Sequence, residues 1–173
     1  MHPRDCTEFT GFEDALVESR GSDVLELRNR QRMCEDGVQQ LHVATTADGS
    51  PAYVQWCVDR STQPALQRNA GNRYRPLELR EVLLEGAYTF PAYRGIGAMA
   101  DGMGQLLKLA RAGGATTALT YVAADNVPSL RGCAKVGFVL DHVRRDRTHY
   151  GRRHSEYAAP DADATRLWTQ AVS

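Results

Sequence analysis

The sequence lacks a net charge and a long hydrophobic run, and it has few cysteines and histidines. Its 173 residues include 21 basic and 21 acidic side chains, so no overall electrostatic field attracts nucleic acid or an anionic membrane. No segment approaches the ~20 consecutive apolar residues of a membrane span, and the first residues have no apolar core of the signal-peptide kind. We therefore expect a cytoplasmic protein without a membrane partner.

Cysteine and histidine are also scarce, with four and five copies. The cysteines lie far apart and form no CxxC pair, and the best-spaced histidines are His149 and His154. Neither pattern is typical of a metal site or a disulfide framework. We predict no metal and four free thiols, which are those of Cys6, Cys34, Cys57 and Cys133.

The length and a hydrophobic content of 42% are enough for one globular core. We predict a single domain over residues 1–159 and a polar, alanine-rich tail over residues 160–173. Helical spacing is found between residues 11 and 40, and alternating residues flank Asp48-Gly49, a strong hairpin signal. The polar stretch that follows predicts a loop with one short helix.

The second half of the chain alternates between strand and helix patterns. A strand is predicted over "REVLLEGAYTF", where Gly86 indicates a bulge or a close backbone approach. An amphipathic helix, the strand "TTALTYVAA", a short helix and a hairpin turning near Tyr150-Gly151 follow. The crossover helix makes its two flanking strands parallel neighbours. The order predicts an α/β (α+β) fold, with a mixed sheet flanked by helices.

The turn "PAYRGIGAM" between that strand and its helix is the most informative segment. A helix start offers unpaired amides and a partial positive charge, which suit a phosphate. Gly95 and Gly97 remove the Cβ atoms that would block those amides, and Arg94 adds a charged donor. A tight turn with no ligand is the alternative interpretation.

A dinucleotide is a competing ligand, because Gly95, Gly97 and Ala100 match the pattern GxGxxA. That fingerprint requires an acidic residue about 20 positions later, at the end of the next strand. At that distance the segment is "TALTYVAA", which has no acid until Asp125, and too little chain follows for a doubly wound sheet. The match to this pattern is therefore incomplete.

Two motifs together resemble a known family. "PAYRGIGAM" is similar to the pyrophosphate loop of the GNAT superfamily of N-acetyltransferases, and "NVPSLRGCAKVGF" resembles its second signature. The resemblance covers about residues 81 to 140, and Ala92 departs from the Gln or Arg that usually opens the first motif. It implies a splayed central sheet of the acyl-CoA N-acyltransferase type and acetyl-CoA, or another acyl-CoA, as the acyl donor.

The resemblance also implies which residues contact coenzyme A. The strand edge would pair with the pantetheine arm as an added strand, with Gly86 marking the bulge that opens the sheet. Local capping is an alternative role for the second motif, because Asn126 is a good N-cap. The implied contacts are Tyr88, Thr89 and Phe90 on the strand, Arg94, Gly95, Ile96, Gly97, Ala98 and Met99 at the turn, and Asn126 and Ser129 in the second motif.

Transfer of an acyl group to an amine requires a proton acceptor, a stabilised oxyanion and a proton for the departing thiolate. Glu85 and Glu81 share one face of the strand that leads into the site, so either is a candidate base. Family members often place a tyrosine acid four residues after the serine of the second motif, where this chain has Cys133. Cys133 is the candidate acid, with inert packing as its alternative, and Tyr121 or Tyr88 as substitutes.

The acceptor pocket is expected across the strands from the cofactor, next to the first helices. Tyr53, Gln55 and Trp56 either line it or belong to the core. The run "RRDRTHYGRRH" holds five arginines and predicts a solvated hairpin. Contacts to the 3′-phosphate of coenzyme A or to an acidic carrier protein are alternatives, and RNA is the weaker option because stacking aromatics are few.

We expect an N-acetyltransferase that transfers an acetyl or short acyl group from acyl-CoA to a primary amine of a small molecule. A coenzyme A-binding module without turnover is the first alternative. An acyltransferase acting on an amine carried by a protein or a tRNA is the second. The sequence leaves the oligomeric state open, a homodimer included.

Overall fold

The computed structural model describes residues 1–70, 73–150 and 152–173. The helices are α1 (Gly11–Glu18), α2 (Ser22–Glu35), α3 (Gln63–Ala70), α4 (Ala98–Ala112), α5 (Val127–Lys135) and α6 (Ala162–Val172). The strands are β1 (His2–Arg4), β2 (Leu41–Thr45), β3 (Pro51–Asp59), β4 (Glu81–Thr89), β5 (Thr117–Leu119), β6 (Val143–His149) and β7 (Arg152–Ala158). Short 3-10 helices cover Cys6–Glu8 and Pro91–Tyr93.

The central sheet has five strands in the order β1-β2-β3-β4-β5. Neighbours are antiparallel except β4 and β5, which are parallel and joined by the crossover helix α4. The predicted α/β fold, the Asp48-Gly49 hairpin and the parallel pair are therefore confirmed. β6 and β7 form a separate antiparallel pair, as the sequence predicts for the last hairpin, whose turn residue Gly151 lies outside the described residues.

The sheet opens between β4 and β5. Pairing runs only from Glu81 with Thr117 to Leu83 with Leu119. The next group on β4, the Leu84 carbonyl, accepts a bond from the Thr120 hydroxyl at 2.9 Å instead of from a backbone amide. β4 then continues to Thr89 while pairing with β3 alone among the described strands. The splayed sheet predicted from the family resemblance is thus present, with a β5 shorter than "TTALTYVAA" suggests.

A bulge lies in β4 where the gap begins. Glu85 is opposite Trp56 and Tyr88 is opposite Val54, so two β4 residues face Gln55 alone. Gly86 has a φ of 66°, and a Cβ there would lie 2.7 Å from Trp56 Cε3. Glycine is required at this position both by the backbone conformation and by the packed indole ring.

The two faces of the sheet are covered by different helices. On one face, α1 and α2 pack over a core that includes Phe12, Leu27 and Trp56. On the other face, Met103 and Leu106 of α4 pack with Leu84, Cys57 and Cys133. Tyr53, Gln55 and Trp56 have no exposed surface, so they belong to the core and do not line an open pocket.

Two elements differ from the sequence-based expectations. β1 was not predicted, since three residues are too short to show a period. The segment interpreted as a tail contains α6, which begins at the Asp161 cap and packs on α5, where Arg131 Nε donates to Ala171 O at 2.7 Å. This helix is short and has few apolar residues, so its sequence pattern is weak. Its contact with α5 is what stabilises it.

The prediction of four free thiols is wrong for one pair. Cys6 and Cys34 form a disulfide with a Cα–Cα distance of 5.1 Å, although 28 positions separate them. Folding brings the Cys6–Glu8 turn against the end of α2, which sequence spacing cannot show. Cys57 and Cys133 are free, as predicted, and both are buried. No helix in the described part of the chain is both long and apolar enough to span a bilayer.

Reduction of this disulfide should destabilise the fold. Closing a loop of this size restricts the unfolded chain by about 3 to 4 kcal/mol. Urea denaturation with and without reductant should show a loss of that order, and a Cys6→Ser/Cys34→Ser double variant should not respond to reductant. Equal stability of the native chain in both conditions would contradict the pairing.

Two glycines of α4 should respond oppositely to alanine. A Cβ at Gly102 would lie 2.4 Å from Cδ1 of the fully buried Tyr53, whereas one at Gly104 would lie 3.7 Å from Val136 Cγ1. We expect Gly102→Ala to lower the free energy of unfolding by about 1–3 kcal/mol. Gly104→Ala should raise it by up to about 1 kcal/mol through helix propensity. Urea denaturation of both variants checks this, and equal effects would contradict the packing of α4 on Tyr53.

Candidate active site

The turn before α4 has the open backbone that the sequence predicts. Gly95 and Gly97 have φ values of 78° and 91°, and a Cβ on either would meet no described atom within 4 Å. In the described chain, backbone bonds stop at the Arg94 amide, which donates to Pro91 O, and resume at the Asp101 amide, which donates to Gly97 O. The amides of residues 95–99 between them are open to a ligand, at the positive end of a 15-residue helix.

Arg94 is engaged with protein atoms and does not extend into that open space. Its Nη1 and Nη2 bind Asp23 Oδ2 and Oδ1 at 3.1 and 2.8 Å, and its Nε donates to Thr89 O at 3.0 Å. The turn is therefore fastened to the start of α2. As a phosphate ligand, Arg94 would first have to exchange this ion pair for another partner.

The predicted edge residues at the end of β4 have two buried side chains, which fix the position of this segment. Tyr88 and Phe90 are 5% and 6% exposed, and their rings contact each other edge to face at 5.3 Å between centroids. The Phe90 amide donates to Ala52 O on the β3 side at 3.1 Å. The opposite edge of residues 88–90 faces the gap left by β5.

The second motif packs beside the glycine turn. Asn126 caps α5 by accepting a bond from the Ser129 amide at 3.2 Å, which is the local role that the sequence predicts. A Cβ at Gly132 would lie 2.9 Å from Met99 Sδ, so α5 lies directly against the first turn of α4. The fold thus brings the two motifs together, as their resemblance to a shared site implies.

Glu85 is a half-buried carboxylate at the bulge. Burial raises its pKa, while the Gly86 amide, the Tyr74 hydroxyl and the charges of Arg30 and Arg144 favour the ionised form. Raising a carboxyl pKa towards neutrality is how proteins prepare a general base. Glu85 therefore has both a location at the opening of the sheet and an environment suited to proton transfer.

Glu81 is much less suited to the same role. Its two oxygens accept from Arg75 Nη2 and Nη1 at 2.9 and 2.7 Å, and Oε2 also accepts from the Glu78 amide at 2.8 Å. The Arg75 guanidinium lowers its pKa. Glu81 also lies within the paired part of β4, so it fastens the preceding loop to the sheet and is distant from the gap.

Cys133 is in the core and not at a reactive surface. It is 2% exposed and packs with Met103 and Leu106, and burial raises the pKa of its thiol to about 11. Packing, the alternative role for this residue, is what these surroundings favour. A proton for the leaving group would have to come from elsewhere.

An aromatic cluster next to Glu85 was missed by the sequence analysis, apart from Tyr121. Tyr74, Tyr121, His142 and Tyr157 pack with centroid distances of 5.4 to 6.1 Å. The Arg144 guanidinium carbon lies 5.2 and 5.8 Å from the Tyr121 and Tyr74 ring centroids. Only the register of β4 and β5 could have indicated this cluster. Leu83 pairs with Leu119, and Glu85 and Tyr121 each lie two residues after that pair.

The arginine-rich run forms the predicted hairpin, and part of its charge is neutralised. Arg144 Nε lies 3.3 Å from Asp146 Oδ1, and Arg145 pairs with Asp161 at the start of α6. These two arginines therefore connect the hairpin to itself and to α6, which favours the structural interpretation of the run over a binding role.

A recess of about 790 Å³ lies on the α1 and α2 side of the sheet. Phe9, Asp14, Asp23, Phe90 and Tyr93 are among its lining residues. It adjoins the residues that lead into the glycine turn. Its position beside the first helices is where the acceptor pocket is expected from the sequence. Glu85 is not among the residues that line it, so the recess and the carboxylate are separate features.

The sequence matches no protein-family model and no curated protein. Solved structures to which the chain is similar include the following two. One is described as "yncA, a putative acetyltransferase from Salmonella typhimurium with its cofactor Acetyl-CoA", with 16% identity, a TM-score of 0.50 and coverage of 91% of this chain and 90% of that one. The other is a "putative acetyltransferase from Agrobacterium tumefaciens str. C58", with 15% identity, a TM-score of 0.49 and coverage of 88% and 98%.

The five-stranded sheet with a single parallel pair also excludes a doubly wound dinucleotide fold for the described chain. Taken with the similarity to the solved structure at a TM-score of 0.50, it confirms the fold predicted from the sequence: the chain has a GNAT-like α/β fold.

Proposed function

We propose that the protein is an N-acetyltransferase that moves an acetyl or short acyl group from acyl-CoA to a primary amine of a small molecule. The observation that carries the proposal is the set of open amides at residues 95–99, beside a sheet that separates at the same end of β4. A phosphate-binding turn next to an unpaired strand edge suits a ligand that has both phosphates and an extended amide arm.

The residues present fit coenzyme A. Two positive-φ glycines leave space in front of the helix start, where linked phosphates would accept bonds from the amides of residues 95–99. The free edge at residues 88–90 would hold the arm, and Asn126 and Ser129 lie in the helix that packs against this turn. When bound, acyl-CoA supplies an acyl group that is activated for attack by an amine.

Glu85 is the residue that we assign to the amine. Its carboxylate would receive the proton of the attacking nitrogen, directly or through water, and its raised pKa matches that task. The bulge at Gly86 is next to it. The Gly86 amide bonds the Glu85 carboxylate, and another backbone N–H beside the bulge would stabilise negative charge on the acyl oxygen. The chemistry required of the chain is thus proton transfer and positioning.

Substitution of Gly97 tests the anion site. Gly97→Ala places a Cβ at the open amides and adds backbone strain, so we expect the affinity for coenzyme A to fall about ten- to a hundredfold, as for lost bonds to a charged group. Gly114→Ala is the matched control, because Gly114 has a φ of 96° and equally open surroundings at the other end of α4. It should lose similar stability and keep the affinity measured by calorimetry. Unchanged binding by Gly97→Ala would contradict the site.

The two glutamates on β4 are distinguished by their effect on turnover. We expect Glu85→Gln to lower kcat about a hundredfold and Glu81→Gln to change it less than about threefold, because Glu81 is held by Arg75.

The wild-type rate should fall as pH drops through the Glu85 pKa, which burial sets above the ordinary glutamate value, and Glu85→Gln should lose this acid limb. Free-thiol release over pH 5–9 measures both, and a wild-type acid limb that persists in Glu85→Gln contradicts the assignment.

Free-thiol release from acetyl-CoA with a panel of small amines tests the proposed function as a whole. Transfer supports it, whereas binding of coenzyme A without transfer to any amine would favour a binding module. Acceptance only of a carrier protein or a tRNA would identify a macromolecular acceptor. A thermal shift with NAD(P) and none with coenzyme A would overturn the proposal, since ligand stabilisation scales with concentration over dissociation constant.

A further inference from the structure

The buried Cys133 leaves the proposed reaction without a proton donor in the helix that usually supplies one. The sulfur that leaves the acyl carbon is a thiolate, and its release is assisted by a nearby acid. Cys133 belongs to a core cluster and is 2% exposed. A donor must therefore come from another element that borders the opening in the sheet.

Register places Tyr121 at that border. Glu81 pairs with Thr117 and Leu83 pairs with Leu119, so continued pairing would bring Tyr121 beside Glu85. The ladder stops at this point, and the Thr120 hydroxyl binds Leu84 O immediately before it. Glu85 and Tyr121 thus flank the start of the gap from its two sides, on the face of the sheet that carries the aromatic cluster.

Tyr121 is the first member of a chain of polar groups. Its hydroxyl lies 3.0 Å from His142 Nε2, and His142 Nδ1 lies 2.7 Å from Asp141 Oδ2. His142 is 20% exposed in its side chain, while Asp141 is 71% exposed. The chain therefore connects a half-buried phenol to a carboxylate in solvent through one imidazole, which can carry a proton on either nitrogen.

The groups around Tyr121 hold its ring without blocking this chain. The Tyr157 ring packs 6.1 Å away. Its hydroxyl donates to Arg73 O and also forms a hydrogen bond with the Tyr121 hydroxyl. Tyr74 and Arg144 cover the ring, and the charge of Arg75 also acts on the phenol. Burial raises the pKa of Tyr121 to about 12, so it keeps its proton at neutral pH, as a donor must.

We propose that Tyr121, His142 and Asp141 form the proton relay of the transfer reaction, with Tyr121 as the acid that contacts the departing sulfur. The inference rests on the proposed function, and it adds a residue trio that lies just after β5 and just before β6, outside both sequence motifs. Tyr121 is the catalytic residue in this arrangement, and His142 and Asp141 are positioning residues that act through it.

The proton balance is closed by these groups and Glu85. As the bond between acyl carbon and sulfur breaks and the bond to the amine nitrogen forms, Tyr121 Oη gives its proton to the sulfur. Tyr121 Oη recovers a proton from Nε2 of the protonated His142 ring, whose Nδ1–H stays on Asp141 Oδ2. Glu85 holds the proton lost by the amine. Solvent then reprotonates His142 and receives the proton of Glu85, so the enzyme returns to its starting state.

Turnover by conservative variants is the first test. We expect Tyr121→Phe to lower kcat about a hundredfold while the KM for acetyl-CoA changes less than about threefold, because only an interaction of the reacting sulfur is lost. Tyr150→Phe is the matched control, since Tyr150 is 93% exposed and follows the end of β6. A Tyr121→Phe enzyme with the wild-type kcat overturns the relay.

Chemical rescue tests the imidazole separately from its packing. His142→Gly should lose activity about tenfold or more, and added imidazole should restore most of it. His154→Gly, which alters an exposed histidine of the same hairpin, should neither lose activity nor respond. If His142→Gly fails to fold, His142→Gln serves instead, and it should lower kcat without changing the KM for acetyl-CoA. Loss that imidazole does not repair in a folded His142→Gly enzyme contradicts the relay.

A binding measurement decides the matter independently of turnover. Calorimetry should show that wild type prefers coenzyme A over its desulfo analogue by about two- to tenfold, the range of one hydrogen bond, and that Tyr121→Phe loses this preference. An equal preference in the two proteins overturns the relay even if no acceptor amine is found. Failure of wild type to bind coenzyme A overturns the proposed function and the relay together, whereas binding with an intact preference in Tyr121→Phe overturns the relay alone.

Discussion

The early end of the β4–β5 ladder is the constraint on which the candidate site depends. Three residue pairs join the parallel strands, and a threonine hydroxyl then takes the place of the next backbone donor. β4 can continue alone because β3 pairs with it on the other side up to Thr89. The result is an extended strand with a free edge, ending at a helix start with open amides. The proposed site requires both features, and the fold places them next to each other.

Helix α2 supports this arrangement from one face of the sheet. Asp23, Glu26 and Arg30 are three and four positions apart, so they lie on one side of the helix. Arg30 donates to the carbonyls of Gly86 and Ala87 at 3.0 and 2.6 Å and pairs with Glu26, while Asp23 binds Arg94. A buried cation is costly unless it is fully bonded, and here its bonds satisfy the carbonyls that the bulge removes from the ladder. Helix α2 carries no family motif, but its side chains fix the position of the bulge in β4 and of the glycine turn.

Local signals were sufficient for the features that depend on neighbouring residues. The Asp48-Gly49 hairpin, the Gly86 bulge, the open turn at Gly95 and Gly97 and the Asn126 cap could all be predicted, because backbone conformation at a glycine or a cap is set within a few residues. The Cys6–Cys34 bond, the pairing of Glu81 with Arg75 and the ring cluster around Tyr121 depend on contacts between distant segments. No period or spacing in the sequence encodes those contacts. The engagement of Arg94 by Asp23 was missed for the same reason.

Glu81 and Glu85 show why a residue's role depends on its surroundings more than on its pattern. Both are glutamates on one face of one strand, four positions apart, and the sequence gives no ground for choosing between them. Glu81 lies where the ladder is intact and a guanidinium lowers its pKa, so it remains a fixed anion. Glu85 lies where the ladder has ended, and burial raises its pKa. Since a base must take up a proton as well as release it, only the second environment supports proton transfer. The carboxylate next to the opening of the sheet is therefore also the one whose pKa is raised by burial.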